Sequence, residues 1–166
     1  MVFPRNQYHP GYIAAAKELG FLNFRTNPLD WFWENTAEET LLKKIFRTGD
    51  TLIPLGKRTS FLPSLSKNGE IPASRLLRPY REGSVFNKIR IDRIKSELKS
   101  ACHRNEAYHL WWHPHNFGNN PEACMQELKK IVGKFAWLRE NRGMESLSME
   151  ELGTRITKNI PSPIIR

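Results

Sequence analysis

The densest group of chemically versatile side chains lies in residues 108–118, which read Tyr-His-Leu-Trp-Trp-His-Pro-His-Asn-Phe-Gly. The aromatic residues favour a short strand over residues 108–112, and the proline at position 114 turns the preceding residue away from helix. Side chains alternate along a strand, so every second residue shares a face. One face is predicted to carry His109, Trp111 and His113. The other face is predicted to carry Tyr108, Leu110 and Trp112.

The position of His113 suits proton transfer. It follows the predicted strand at its carboxyl end, where α/β proteins place reactive groups, and an imidazole exchanges protons near neutral pH. The alternative is structural, with His109 hydrogen-bonded in the core and Trp111 and Trp112 as packing. The residues alone leave both interpretations open.

A second polar group lies near the amino terminus, at Arg5, Asn6 and Gln7. A guanidinium pairs bidentately with a carboxylate, and amides both donate and accept hydrogen bonds, which suits sugar hydroxyls. The group is predicted at a strand end just before a helix. A structural turn is the alternative.

Helices with recognisable ends must hold these residues in place. Residues 12–19 are rich in alanine and precede Gly20, a typical C-terminal cap. The spacing of Thr36 and Glu39 is that of a capping box, followed by apolar residues at helical spacing up to residue 46. Further helices are predicted over residues 89–101, which are basic and amphipathic, over residues 121–141 and after Ser148.

Strands are predicted over residues 2–4, 21–25 and 108–112, so the chain alternates strand and helix as α/β proteins do. We expect these three strands to lie parallel and adjacent in an open α/β layer. Residues 55–84 contain several prolines and serines and no sustained period. We therefore predict a long excursion over the surface there.

Length and composition restrict the class of protein. A chain of 166 residues forms one ordinary domain, and its apolar runs are too short to span a bilayer. Two cysteines exclude a disulfide-dense scaffold, and the first residues do not resemble a signal peptide, so we expect a cytoplasmic location.

The formal charge of +9 is concentrated in residues 57–104, which hold twelve Lys and Arg against four Asp and Glu. Such a stretch suits nucleic acid, an anionic lipid surface or an acidic polysaccharide. A solvated basic face is the alternative. Nucleic acid is disfavoured because no clamp, zinc knuckle or aromatic RNA-binding strand accompanies the charge.

Four segments together resemble a bacterial branch of the polysaccharide deacetylases, the NodB-homology or carbohydrate esterase family 4 enzymes. They are residues 3–7 (Phe-Pro-Arg-Asn-Gln), 24–27 (Phe-Arg-Thr-Asn), 74–80 (Ser-Arg-Leu-Leu-Arg-Pro-Tyr) and 108–118. The resemblance covers essentially the whole chain. It implies a hydrolase that removes N-acetyl or O-acetyl groups from a glycan by metal-dependent general acid/base chemistry.

The resemblance also implies roles for individual residues. Leu110 and His113 are similar to the family's closing Leu-x-x-His motif, whose histidine is the general acid. Arg5 resembles the arginine that orients the catalytic base, and Arg75 and Arg78 could contact an anionic glycan or be structural. Substrate-binding roles are implied for Asn6, Gln7, Trp31, Trp111, Trp112 and Asn116.

The family's metal and base segments are not found in the sequence. Neither a Thr-Phe-Asp-Asp-like segment nor a His-x-x-x-His segment occurs. The chain is therefore similar to the C-terminal half of the family's distorted (β/α) barrel, over residues 1–160 with a tail at 161–166. The family implies a zinc-like divalent metal, which we do not expect this chain to bind alone.

A truncated chain of this kind is expected to be inactive by itself. Its expected partners are an acetylated polysaccharide and the missing N-terminal half of the barrel. A non-catalytic carbohydrate-interaction or assembly role is the alternative.

Overall fold

The structure is a computed structural model, and it describes residues 1–3, 9–28, 30–33, 40–50, 53, 55–56, 59–66 and 68–158. Helices and short parallel strands are mixed, which agrees with the predicted α/β class. The incomplete barrel remains a prediction. Within the described residues, none of the helices is both long enough and apolar enough to cross a membrane.

Five α-helices and four β-strands form the described fold. The helices are α1 (Pro10–Glu18), α2 (Leu41–Gly49), α3 (Phe86–His103), α4 (Pro121–Arg142) and α5 (Met149–Thr157). The strands are β1 (Phe24–Thr26), β2 (Glu70–Pro72), β3 (Arg75–Leu76) and β4 (Leu110–Trp111).

The strands form two parallel pairs. β1 pairs with β2, with Arg25 opposite Ile71, and β3 pairs with β4, with Leu76 opposite Trp111. Helix α2 lies between β1 and β2 in the chain, and α3 lies between β3 and β4. Each pair is thus a strand–helix–strand unit, the connection that parallel strands require.

The expected adjacency of the three predicted strands is wrong. β1 and β4 pair with β2 and β3 and not with each other, and β1 begins three residues later than the sequence indicated. Residues 1–3 form no assigned strand, although the carbonyl of Met1 accepts a hydrogen bond from the Arg25 amide at 3.0 Å. Residue 4 lies outside the described residues.

The interpretation of residues 55–84 as a surface excursion is wrong for its central part. That part contains β2 and β3, and Ile71, Ala73 and Leu77 are buried. The two strands are only three and two residues long and are held by partners far away in sequence. No local hydrophobic period could therefore reveal them.

The main core lies between α3 and α4. Ile91, Ile94 and Leu98 of α3 are buried against Ile131 and Leu138 of α4. This confirms the predicted amphipathic helix over most of its length, because the apolar stripe faces inward. Two residues differ from the prediction: Ile89 is exposed and Arg90 is buried.

Local capping chemistry sets most helix ends as the sequence predicted. The Asn120 side chain caps α4, which ends at Gly143 in the left-handed conformation, and Ser148 and Glu151 form a complete capping box for α5. Helix α2 is different, because Thr40 caps it by accepting from the Lys43 amide at 3.2 Å. The predicted cap at Thr36 lies outside the described residues.

Candidate functional site

The carboxyl ends of the parallel strands meet at one edge of the molecule. Pro28 follows β1, Arg78 follows β3 and His113 follows β4. A small cavity opens there, which we call the carboxyl-edge cavity; its walls include Trp33, Arg47, Asp50, Arg75, Arg78 and Trp111. Its volume is about 30 Å³, so it holds about two water-sized atoms and not a sugar ring.

An aromatic wall extends from this cavity along the end of β4. The Trp111 and His113 rings are 5.2 Å apart and nearly perpendicular, and the His113 and His115 rings are stacked at 5.0 Å. The guanidinium of Arg25 lies 4.1 Å from the centre of the Trp111 ring. Both histidines are exposed, so this wall offers flat rings to solvent.

The predicted alternation of side chains along β4 is confirmed. Tyr108 and Leu110 pack against the core between α3 and α4, whereas Trp111 faces Arg25. Trp112 is exposed on the side opposite Trp111, and its ring lies 6.2 Å from Phe117. Trp111 and Trp112 therefore do not contribute to the same surface.

His109 lies at the inner end of this wall and is largely buried. Its Nδ1 atom has no hydrogen-bond partner in the described part of the chain. Burial, followed by the charge of Arg25, lowers the pKa of the imidazole. His109 is thus neutral in the folded protein near pH 7, as a structural histidine would be.

Two other predicted site residues have structural contacts. Trp31 is half-exposed in a short 3₁₀ turn and packs edge-on against Phe46, while Trp33 of the same turn reaches the cavity. The Asn116 amide donates to the Leu77 carbonyl at 3.5 Å. Arg5, Asn6 and Gln7 lie outside the described residues, so their predicted roles stay predictions.

A buried ionic network that the sequence did not predict adjoins the cavity, and Asp50 and Arg75 belong to both. Glu97 accepts two hydrogen bonds from Arg75 at 2.7 Å, one from Arg93 at 2.8 Å and one from the Tyr108 hydroxyl at 2.7 Å. Asp50 also pairs with Arg93 and Arg75, at 3.0 and 3.5 Å. Strand β3, helix α3, the segment before strand β4 and the end of α2 are joined through these contacts.

The pKa directions follow from this geometry. Burial acts to lower the pKa of Arg75, but the hydrogen bonds and charge of Glu97 outweigh it and raise the pKa overall. Burial and then the charge of Glu97 raise the pKa of Tyr108 well above its usual value. Arg75 therefore stays charged and Tyr108 stays protonated.

Four arginines among the twelve basic residues in the middle of the chain pair with carboxylates in the described structure. Arg90 pairs with Glu127 across the core, and Arg104 pairs with Glu106 at 2.8 Å. Burial is the main cause that lowers the pKa of Arg90 and raises that of Glu127, as expected for a desolvated pair. Together with Arg75 and Arg93, these pairs neutralise four of the basic residues that a nucleic-acid surface could have used.

The described residues do not fit the metal that the family resemblance implies. No group of three His, Cys, Asp or Glu side chains in this part of the chain is arranged to hold a metal ion. His113 and His115 are stacked on each other, whereas metal-ligating imidazoles direct their nitrogens to one point. We therefore assign no metal ligand among them.

Comparisons with known proteins leave the resemblance as a prediction. No protein-family model matches the chain, and neither the curated proteins nor the solved structures contain a match.

Proposed function

We propose that this chain binds an acetylated polysaccharide along the aromatic wall formed by Trp111, His113 and His115. The observation that supports the proposal is the exposed stack of His113 on His115 beside Trp111, at the carboxyl end of a parallel strand. Flat rings bind the apolar C–H faces of sugars, and ligands of α/β proteins bind at this edge.

We further propose that the chain is the glycan-facing part of a deacetylase-like unit. In that unit His113 donates a proton to the leaving amine, since an exposed imidazole at the strand end can approach a bound sugar. The metal and the catalytic base would come from a segment that carries the family's Asp-Asp and His-x-x-x-His motifs. Without them the proposed function is glycan binding.

Binding is tested by titrating the chain with a tetramer of N-acetylglucosamine and measuring the heat. Trp111→Ala should weaken binding about tenfold, because the variant loses the ring at the centre of the wall. Trp137→Ala is the matched control: it is an exposed tryptophan on α4, where it contacts Lys134, and should bind as the wild type does. Equal affinity of Trp111→Ala and wild type would contradict the proposal.

Hydrolysis is tested by acetate release from the same tetramer with zinc present. We expect none from the chain alone and restored release when a polypeptide carrying the two missing motifs is added. His113→Ala should then reduce turnover by about 10²–10⁴-fold, as expected for a general acid. Release by the chain alone would show that it holds a complete site of its own.

A further inference from the structure

Arg78 differs from the other arginines near the cavity because it has no counter-ion. Arg75, Arg90 and Arg93 each pair with a carboxylate, whereas no hydrogen bond or ion pair reaches Arg78 in the described part of the chain. Its side chain is half-buried and lines the carboxyl-edge cavity. Removing a cation from water without a partner is unfavourable, so this position favours an anion from outside.

The surroundings of Arg78 strengthen this preference. Burial and then the charges of Arg81, Arg90 and Arg75 lower its pKa. A second guanidinium, that of Arg47, also lines the cavity and lies 5.0 Å from the centre of the Trp33 ring. Positively charged neighbours therefore act on Arg78, as the direction of its pKa shift reflects.

The acidic residue in the cavity wall, Asp50, does not neutralise Arg78. One of its carboxylate oxygens accepts from the Leu55 and Gly56 amides at 3.1 and 3.2 Å and pairs with Arg93 at 3.0 Å. The other oxygen lies 3.5 Å from Arg75. Because both oxygens are occupied, Asp50 leaves the charge of Arg78 uncompensated.

We propose that the carboxyl-edge cavity binds the carboxylate of an acidic sugar, with Arg78 as its counter-ion. The volume of about 30 Å³ accepts about two oxygen-sized atoms, which suits the two oxygens of a carboxylate better than the larger sulfate or phosphate. A guanidinium holds two such oxygens with parallel hydrogen bonds. The sugar ring then lies outside, against Trp111 and His113; this part rests on the proposed function.

The experiment compares two oligosaccharides of equal length by calorimetry on the full chain. One is a neutral oligomer of N-acetylglucosamine, and the other alternates N-acetylglucosamine with glucuronate. Arg78→Gln should weaken binding of the acidic oligomer about tenfold or more and leave the neutral one within about twofold, because only a carboxylate needs the charge-assisted bonds. Arg81→Gln removes the same charge from an exposed neighbour and should change neither.

Small anions test carboxylate binding at Arg78 without any sugar present. Acetate should shift the side-chain Nε–H resonance of Arg78 in the wild-type protein, and sulfate at equal ionic strength should not. This measurement needs no variant, so it decides the question even where Arg78→Gln fails to fold. An equal response to sulfate, or no response to acetate, would overturn the carboxylate site.

The two proposals fail in different ways. If Arg78→Gln and Arg81→Gln change the affinity for the acidic oligomer to the same extent, the carboxylate site is wrong, whatever the affinity for the neutral oligomer. If the wild type binds the acidic oligomer through Arg78 and ignores the neutral one, the carboxylate site is supported and the proposed binding of a neutral acetylated glycan along the aromatic wall is contradicted.

Discussion

Replacing Glu97 by glutamine tests the ionic network on which the carboxyl-edge cavity rests. Glutamine has the same shape but no charge, and its amide nitrogen would face guanidinium or hydroxyl donors. Glu97 accepts four hydrogen bonds, and we expect the substitution to remove stabilisation equal to about two hydrogen bonds to a charged group. Asp50 still pairs with Arg93 and Arg75, which limits the damage.

The expected loss follows from these contacts. Each hydrogen bond to a charged group contributes about 1.5–3 kcal/mol net. The loss of about two such bonds, at the lower value for each, destabilises the protein by about 3 kcal/mol. For a domain of this size that corresponds to a fall in Tm of roughly 6–12 °C. Urea unfolding followed by circular dichroism measures the free energy directly, with the slope checked for two-state behaviour.

Asp92→Asn provides the matched control for Glu97→Gln. It removes the same charge from the same helix, but Asp92 is exposed and pairs with Lys95 alone, at 2.8 Å. Its cost should stay below about 1 kcal/mol, as for surface ion pairs. A Glu97→Gln protein within 1 kcal/mol of the wild type, or no more affected than Asp92→Asn, would refute the reasoning.

Three further predictions concern single side chains. Because the pKa of Tyr108 is raised, the stability linked to it is present below pH ~10 and is lost at higher pH. In a pH titration followed by absorbance at 295 nm, one tyrosine should stay un-ionised until the protein unfolds. Tyr108→Phe should remove this late-ionising tyrosine from the titration. Because the pKa of His109 is lowered, the free energy of unfolding should fall as the pH drops below ~6.5. Urea melts of His109→Gln should show a smaller decrease of this free energy over the same pH range. Gly69→Ala should lower the stability by more than about 2 kcal/mol, since φ is +80° and a Cβ would clash with the Leu22 carbonyl oxygen. Gly133→Ala in helix α4, where a Cβ would have nothing within 4 Å, should raise the stability by about 0.5–1 kcal/mol. Thermal melts of both variants test this.

Short-range chemistry explains which parts of the fold could be predicted. The caps at Asn120, Gly143 and Ser148 act within a few residues, and the apolar stripe of α3 repeats with the helical period. The alternation along β4 is equally local and was predicted correctly. Strands β2 and β3 were missed because their stability comes from pairing with distant strands and from burial.

The candidate site was only partly predictable for the same reason. Trp111 and His113 are neighbours in sequence, so their proximity could be inferred from the strand period. The partners of Glu97 come from α3, β3 and the segment before β4, and Asp50 adds the end of α2; no spacing in the sequence brings these together. The sequence left a structural and a ligand-binding role open for Arg78, and the absence of a partner for it among the described residues favours the second.

The position of residues 70–76 also has a consequence for the order in which the chain folds. This segment pairs first with β1 and then with β4, so it stays incomplete on a ribosome until residues 110–111 have emerged. Leu77 packs with Ile131 and Leu138 of α4, so it stays uncovered until α4 has emerged as well, which makes a shorter nascent chain prone to association. We expect the carboxyl edge, with its cavity and its aromatic wall, to form only after residues 110–115 have emerged, although β1, β2 and β3 are made much earlier.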